Sequence, residues 1–213
     1  VSEDEIIRKS GKRSISIYIS IPFCPSRCSY CSFVSHSIER ATDLIPKYLE
    51  FLCKEIECTA EIVKKLNLDI MTVYVGGGTP TTLSAEQLTV LLNKIHNCFG
   101  NSFTELTVEA GRPDTITKEK LKALKNGGVD RISINPQTMN DDVLINIGRR
   151  HTTGQTIEAF NLARTIGFKN INMDLIAGLP GDTYNSFVNT VEQVISFSPE
   201  SVTVHSLSLK RSS

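Results

Sequence analysis

The sequence predicts an α/β fold: a partial (β/α)6 barrel of parallel strands around a polar lumen. Three observations predict it. Strand-like and amphipathic helical runs alternate along the chain, which argues for a parallel sheet. The strand runs alternate apolar and polar residues, whereas strands covered on both faces read as near-continuous apolar stretches. Chemistry-bearing residues gather at the C-terminal ends of the strand runs, where βα folds place their active sites.

The elements follow in order. Strand runs are predicted at 16–21, 71–75, 105–109, 131–135, 170–175 and 201–205, and helical runs at 46–66, 85–97, 118–126, 154–166 and 184–197. In the first strand Ile17, Ile19 and Ile21 share one face, and Ser16, Tyr18 and Ser20 the other. In the third, Leu106 and Val108 oppose Glu105, Thr107 and Glu109. In the fourth, Ile132 and Ile134 oppose Ser133 and Asn135; in the fifth, Ile171, Met173 and Leu175 oppose Asn172 and Asp174; in the sixth, Val202 and Val204 oppose Thr203 and His205. Helices cover the apolar face, so the polar face lines a lumen wide enough for a ligand. Gly100, Gly127 and Gly167 follow helical runs and read as C-caps. The last strand has no helix after it. Val1 in place of Met, and a strand-like run close to Ser213, predict a truncated chain: residues 1–14 as an N-terminal extension, 15–213 as one core domain, and a C-terminal domain absent.

Composition bounds the partners. Lys and Arg number 23, as do Asp and Glu, so the formal net charge is zero. That speaks against a nucleic-acid binder, which carries a basic excess. No apolar run reaches membrane-spanning length and no signal-peptide pattern opens the chain, so the expectation is a cytoplasmic protein with no membrane partner.

Of six cysteines, three fall in Cys24-Pro-Ser-Arg-Cys28-Ser-Tyr-Cys31, directly after the first strand. Three thiolates in one short loop suit a soft-metal centre. An iron–sulfur cubane takes four ligands, and three cysteines leave one iron open to an external ligand. Zinc is the competing reading: Cys24, Cys28, Cys31 and His36 supply a Cys3His set. Cys53 sits on the apolar stripe Leu49, Leu52, Cys53, Ile56 and reads as core filler; Cys58 and Cys98 have no partner at ligand spacing.

Cys-x3-Cys-x2-Cys with an aromatic before the last cysteine resembles the signature of radical S-adenosylmethionine (SAM) enzymes. The longer string Tyr18-Ile-Ser-Ile-Pro22-Phe23-Cys24-Pro25 resembles the branch holding the oxygen-independent coproporphyrinogen III oxidases (dehydrogenases) and their heme-chaperone relatives. The resemblance runs from the first strand to the end of the chain. It implies a fold of the radical SAM type and a [4Fe–4S] cluster on Cys24, Cys28 and Cys31. It also implies S-adenosyl-L-methionine as the second cofactor, chelating the iron that lacks a cysteine.

The other motifs take roles by the same resemblance. Gly76-Gly77-Gly78-Thr79-Pro80 matches the loop that binds the methionyl end of SAM, which assigns Gly77, Gly78 and Thr79. Glu109 matches an acid that contacts SAM. Gln137 in Ile134-Asn-Pro-Gln137 stands where the family usually has Gly-Val before this glutamine. Arg149 in Gly148-Arg-Arg-His151 matches a SAM-binding arginine, with Arg150 and His151 as candidates for substrate carboxylates or as a solvated cluster. Asp174 lies in a close match to the family's aspartate motif, and Tyr18 and Tyr30 match aromatic positions beside SAM and the cluster.

The implied chemistry is hydrogen abstraction by a 5′-deoxyadenosyl radical, with the cluster electron coming from an unidentified donor. The implied ligand is a porphyrinogen whose two propionates become vinyl groups in heme biosynthesis. One position departs from the pattern: Phe33 stands where well-characterised coproporphyrinogen enzymes carry a fourth cysteine. The heme chaperones also have phenylalanine there, as does a second group of coproporphyrinogen-type enzymes. The expectation is therefore a coproporphyrinogen III dehydrogenase, with a heme-binding chaperone on the same scaffold as the rival and a zinc-dependent nucleic-acid module as a minor third.

Overall fold

A computed structural model describes residues 11–33 and 36–208. Most of the predicted N-terminal extension, residues 1–10, lies outside the described residues.

Six strands build the main sheet: β1 (Ser14–Ile21), β4 (Asp69–Gly77), β5 (Glu105–Gly111), β6 (Arg131–Gln137), β7 (Ile171–Ala177) and β8 (Ser201–Ser206). They lie in the order β1-β4-β5-β6-β7-β8, and every neighbouring pair is parallel. Residues of all six strands line one cavity of about 830 Å³, so the sheet is a half-barrel. Two two-residue strands, β2 (Phe23–Cys24) and β3 (His36–Ser37), pair with each other beyond the end of β1.

The long helices are α2 (Ile45–Lys65), α3 (Ala85–Phe99), α4 (Lys118–Asn126), α6 (Thr153–Ile166) and α7 (Tyr184–Ser196). Two short ones, α1 (Ile38–Ala41) and α5 (Asp141–Asn146), are not legible as periodic runs. Capping boxes start two of the helices: Ser84 with Gln87 at α3, and Thr152 with Gln155 at α6. Each satisfies two backbone donors that a helix start otherwise leaves open.

The predicted alternation is realised. Ile19, Ile21, Val73, Val75, Leu106, Val108, Ile132, Ile134, Ile171, Met173 and Leu175 are buried in a single core against the helices. Burial of each such side chain stabilises by roughly 1.5–3 kcal/mol. Cys53 packs against this core as expected. On β8, Val202 and Val204 stay 38% and 51% exposed, because no described helix follows to cover them.

Several boundaries differ from the sequence reading. β4 runs through Gly77, so Gly76 and Gly77 close the strand and only Gly78 follows it. Glu109 and Asp174 lie inside their strands, and Gln137 is the last residue of β6 rather than a loop residue. Gly127 is not a left-handed cap: its φ is −79°, and a Cβ there would come within 2.4 Å of Leu92 Cδ1, so it serves close packing of α4 on α3.

Candidate functional site

The three motif cysteines open the site. Cys24 ends β2, and Cys28 and Cys31 follow in the loop beyond it. All three face the half-barrel cavity. The other sequence-predicted residues, Tyr18, Tyr30, Gly77, Gly78, Thr79, Glu109, Gln137, Arg149 and Asp174, line the same cavity. They come from five strands or the loops after them, and period-2 alternation puts Tyr18, Glu109 and Asp174 on the concave face.

The glycine motif fits because β1, β4 and the cysteine loop meet there. The Gly78 N–H donates to the Ile21 carbonyl at 2.8 Å, and the Thr79 N–H to the Phe23 carbonyl at 2.8 Å. A Cβ on Gly78 would lie 2.7 Å from the Phe23 carbonyl oxygen and 3.0 Å from Cys24 Sγ. Gly77 sits at φ +105°, a backbone geometry open to glycine and rare for other residues. The Thr79 hydroxyl donates to Cys24 Sγ at 3.5 Å.

Two carboxylates, Glu109 and Asp174, line the lumen. Glu109 Oε1 accepts from the Tyr74 hydroxyl at 2.6 Å, and the Tyr74 ring stacks on Tyr18 with centroids 5.8 Å apart. Asp174 Oδ1 accepts from Asn172 Nδ2 at 2.6 Å, while Asn172 Oδ1 accepts from Ser201 and Thr203. Burial pushes Glu109 up to about 6, helped by the charge of Asp174 and opposed by the Tyr74 hydrogen bond. Burial raises Asp174 too, against the pull of Asn172. Sequence reasoning missed Tyr74. Its signal was present, since it alternates with Val73 and Val75.

The raised Glu109 gives a pH prediction. The folded state holds this proton more tightly than the unfolded chain, so the stabilisation is fully present below 4.5 and is lost as pH rises through about 6. Its size is about 2 kcal/mol. Asp174 acts in the same direction. Denaturant titrations across that interval are expected to show stability falling with pH in the native chain and a visibly shallower fall in Glu109→Gln.

Arg149 is buried, donating from Nη1 to the Asn135 carbonyl at 2.7 Å and from Nη2 to the Tyr30 hydroxyl at 3.0 Å. Burial holds the Tyr30 phenol up at about 12. Gln137 adopts φ +70°, unusual for a residue with a side chain. It follows Pro136, which has no N–H to give the ladder. The β6–β7 register accordingly shifts between Ile134 and Gln137. The pair suggested for substrate carboxylates does not reach the lumen: Arg150 lines a separate hollow, and His151 is 3% exposed. Burial, reinforced by Arg149, pushes His151 down to about 4, so it carries no charge at neutral pH.

The zinc reading loses its fourth ligand. His36 lines that separate hollow of about 790 Å³, whereas the three thiols line the lumen. Among the described residues no three His, Cys, Asp or Glu side chains converge as a single metal ion requires. The cavity does fit a larger thiolate-bound group with a polar companion. Its wall carries three thiols, a glycine edge with no room for a side chain, and buried polar atoms without a hydrogen-bond partner: Asn135 Oδ1, Gln137 Oε1 and Arg149 Nε.

Among curated proteins, the chain is 45% identical over 204 residues to the oxygen-independent coproporphyrinogen-III oxidase-like protein HemZ of Bacillus subtilis, covering 95% of this chain and 41% of that protein. It is 41% identical over 194 residues to the heme chaperone HemW of the same organism, covering 90% and 50%. Among solved structures, the radical SAM coproporphyrinogen III oxidase HemN of Escherichia coli superposes with a TM-score of 0.82 at 29% identity, over 96% of this chain and 46% of that one. The chain thus spans about half or less of the length of these relatives. Among the described residues no helix is long and apolar enough to cross a membrane. A family model described as the Radical SAM superfamily matches residues 18–194, and with the half-barrel and its three-cysteine loop in place, the chain belongs to that superfamily.

Proposed function

We propose that this chain is the catalytic core of a SAM-dependent oxidoreductase that acts on a porphyrinogen, with coproporphyrinogen III as the substrate. The observation that carries the reading is that three thiols, a glycine strand end, two raised carboxylates and a buried arginine line one cavity. Cys24, Cys28 and Cys31 would hold a [4Fe–4S] cluster, and Gly77, Gly78 and Thr79 would take the methionyl end of SAM. When bound, these two cofactors supply a carbon-centred radical able to take hydrogen from an unactivated position.

The chain's own residues bind and orient. Glu109, once ionised, accepts from an ammonium group. Arg149 offers its unpartnered Nε to a carboxylate, Asp174 accepts from hydroxyls, and Gln137 contributes an unpartnered amide oxygen. Tyr18 and Tyr30 line the site as aromatic faces for its ligands. For each propionate, the substrate would give up a hydrogen atom, CO2 and one electron, leaving a vinyl group; the hydrogen atom would leave in 5′-deoxyadenosine and the electron would replace the one spent in cleaving SAM, so that one SAM serves as the two-electron oxidant per vinyl group. A C-terminal domain, in the additional length that the relatives have, is proposed to complete the substrate pocket.

A heme chaperone on the same scaffold is the second reading. It is favoured by Phe33, 65% exposed at the cavity where a fourth cysteine would stand, and by the similarity to HemW. Anaerobic incubation of the full-length reduced protein with SAM and coproporphyrinogen III separates the two. The dehydrogenase reading expects a divinyl product in step with 5′-deoxyadenosine. SAM cleavage without vinyl product, together with stable heme binding, selects the chaperone.

A further inference from the structure

We propose that Arg112 is a positioning residue that braces the cysteine loop and, through it, the retention and potential of the cluster. The inference rests on the reading of Cys24, Cys28 and Cys31 as cluster ligands. Arg112 follows β5 directly and is 3% exposed. Its Nε and Nη2 donate to Asp114 Oδ1 and Oδ2, both at 3.1 Å. Its Nη1 donates to the Ser26 carbonyl at 3.2 Å and to Ser26 Oγ at 2.7 Å. Ser26 is the middle residue between Cys24 and Cys28.

The same serine is held from the other side. Ser26 Oγ donates to the Gly148 carbonyl at 3.0 Å, and the Ser29 N–H donates to the Ile147 carbonyl at 3.1 Å. Gly148 sits at φ +76°, and a Cβ there would lie 3.1 Å from the Arg27 carbonyl oxygen. The loop between the first two cysteines is therefore caught between the end of β5 and the turn after α5.

The chemistry selects arginine. A planar fork can grip a carboxylate with one edge while its other nitrogen holds a carbonyl and a hydroxyl; a lysine ammonium has no such fork. Four of the five guanidinium N–H groups are committed inside the protein, so Arg112 positions the loop rather than binding a substrate carboxylate. Its charge also matters. A thiolate-bound cluster becomes more negative on reduction, and a buried cation at its loop favours the reduced form. Without Arg112, Asp114 would remain as an uncompensated anion beside the loop.

The test compares Arg112→Gln, Arg112→Lys and Ser26→Ala with the native chain after anaerobic reconstitution with iron and sulfide. Iron loss to a chelator and the midpoint potential followed by electron paramagnetic resonance are the readouts, with the thermal midpoint of the apoprotein as the folding control. Arg112→Gln is expected to release iron faster, on the order of 10-fold, and to shift the potential to more negative values. Arg112→Lys keeps the charge but loses the fork, so it is expected to release iron faster with a smaller shift in potential. Ser26→Ala leaves the Arg112–Asp114 pair intact, so faster iron release in that variant identifies the brace rather than general folding, and it decides the matter if Arg112→Gln does not fold. Native iron retention and potential in Arg112→Gln, or native retention in Ser26→Ala where Arg112→Gln is unfolded, would overturn the proposal. A native chain that takes up no iron overturns the underlying cluster reading instead.

Discussion

Replacing Cys24 with alanine is expected to leave a folded chain that no longer retains iron and whose 5′-deoxyadenosine yield falls to background. Cys24 is the most informative of the three cysteines because the fold asks little of it. Its side chain is partly exposed, and its sulfur accepts a weak hydrogen bond from the Thr79 hydroxyl at 3.5 Å. Losing a partly exposed sulfur creates little cavity, so the stability cost is small. Cys28 is buried, and its replacement would mix packing with ligand loss. With Cys24→Ala, an unchanged apoprotein melting curve beside lost iron assigns the sulfur to ligation. Native iron content and native SAM cleavage in this variant would contradict the assignment.

Gly78→Ala is expected to act on fold and site together. The added Cβ would sit 2.7 Å from the Phe23 carbonyl oxygen, 2.9 Å from the Ile21 carbonyl oxygen and 3.0 Å from Cys24 Sγ. Two of these three atoms are backbone, and both carbonyls already accept hydrogen bonds from this segment. No side-chain rotation relieves the contact, so the strand end and the cysteine loop must part. Overpacking of this kind costs roughly 1–3 kcal/mol. A lower apoprotein melting temperature and weakened SAM binding by calorimetry are the expected results. Native stability and affinity would mean that the close approach of these two segments is not what the site requires.

Much of this arrangement is legible in the sequence because it is periodic or local. Alternation along β5, β6 and β7 alone puts Glu109, Ser133 and Asp174 on one face, and the cysteine spacing declares itself within eight residues. What escapes is contact between distant segments. Arg112 and Ser26 are 86 residues apart, and nothing in the local pattern around Arg112 says what its guanidinium holds. Short elements escape as well: α5 is too brief for a helical period, and the β2–β3 ladder has two residues per strand. Gln137 is an intermediate case. The proline before it forecasts an irregular backbone, and the structure adds a left-handed φ and a register shift there. Arg150 and His151 misled because adjacency in sequence implied a shared surface, whereas one faces outward and the other is buried.

The proposed [4Fe–4S] cluster on Cys24, Cys28 and Cys31 would leave one iron for SAM. Electron paramagnetic resonance of the anaerobically reconstituted, dithionite-reduced protein, recorded before and after adding SAM, tests it most directly. A reduced-cluster signal whose shape changes when SAM is added is the expected result. A protein that binds one zinc per chain and gives no such signal, or a cluster signal indifferent to SAM, would contradict it.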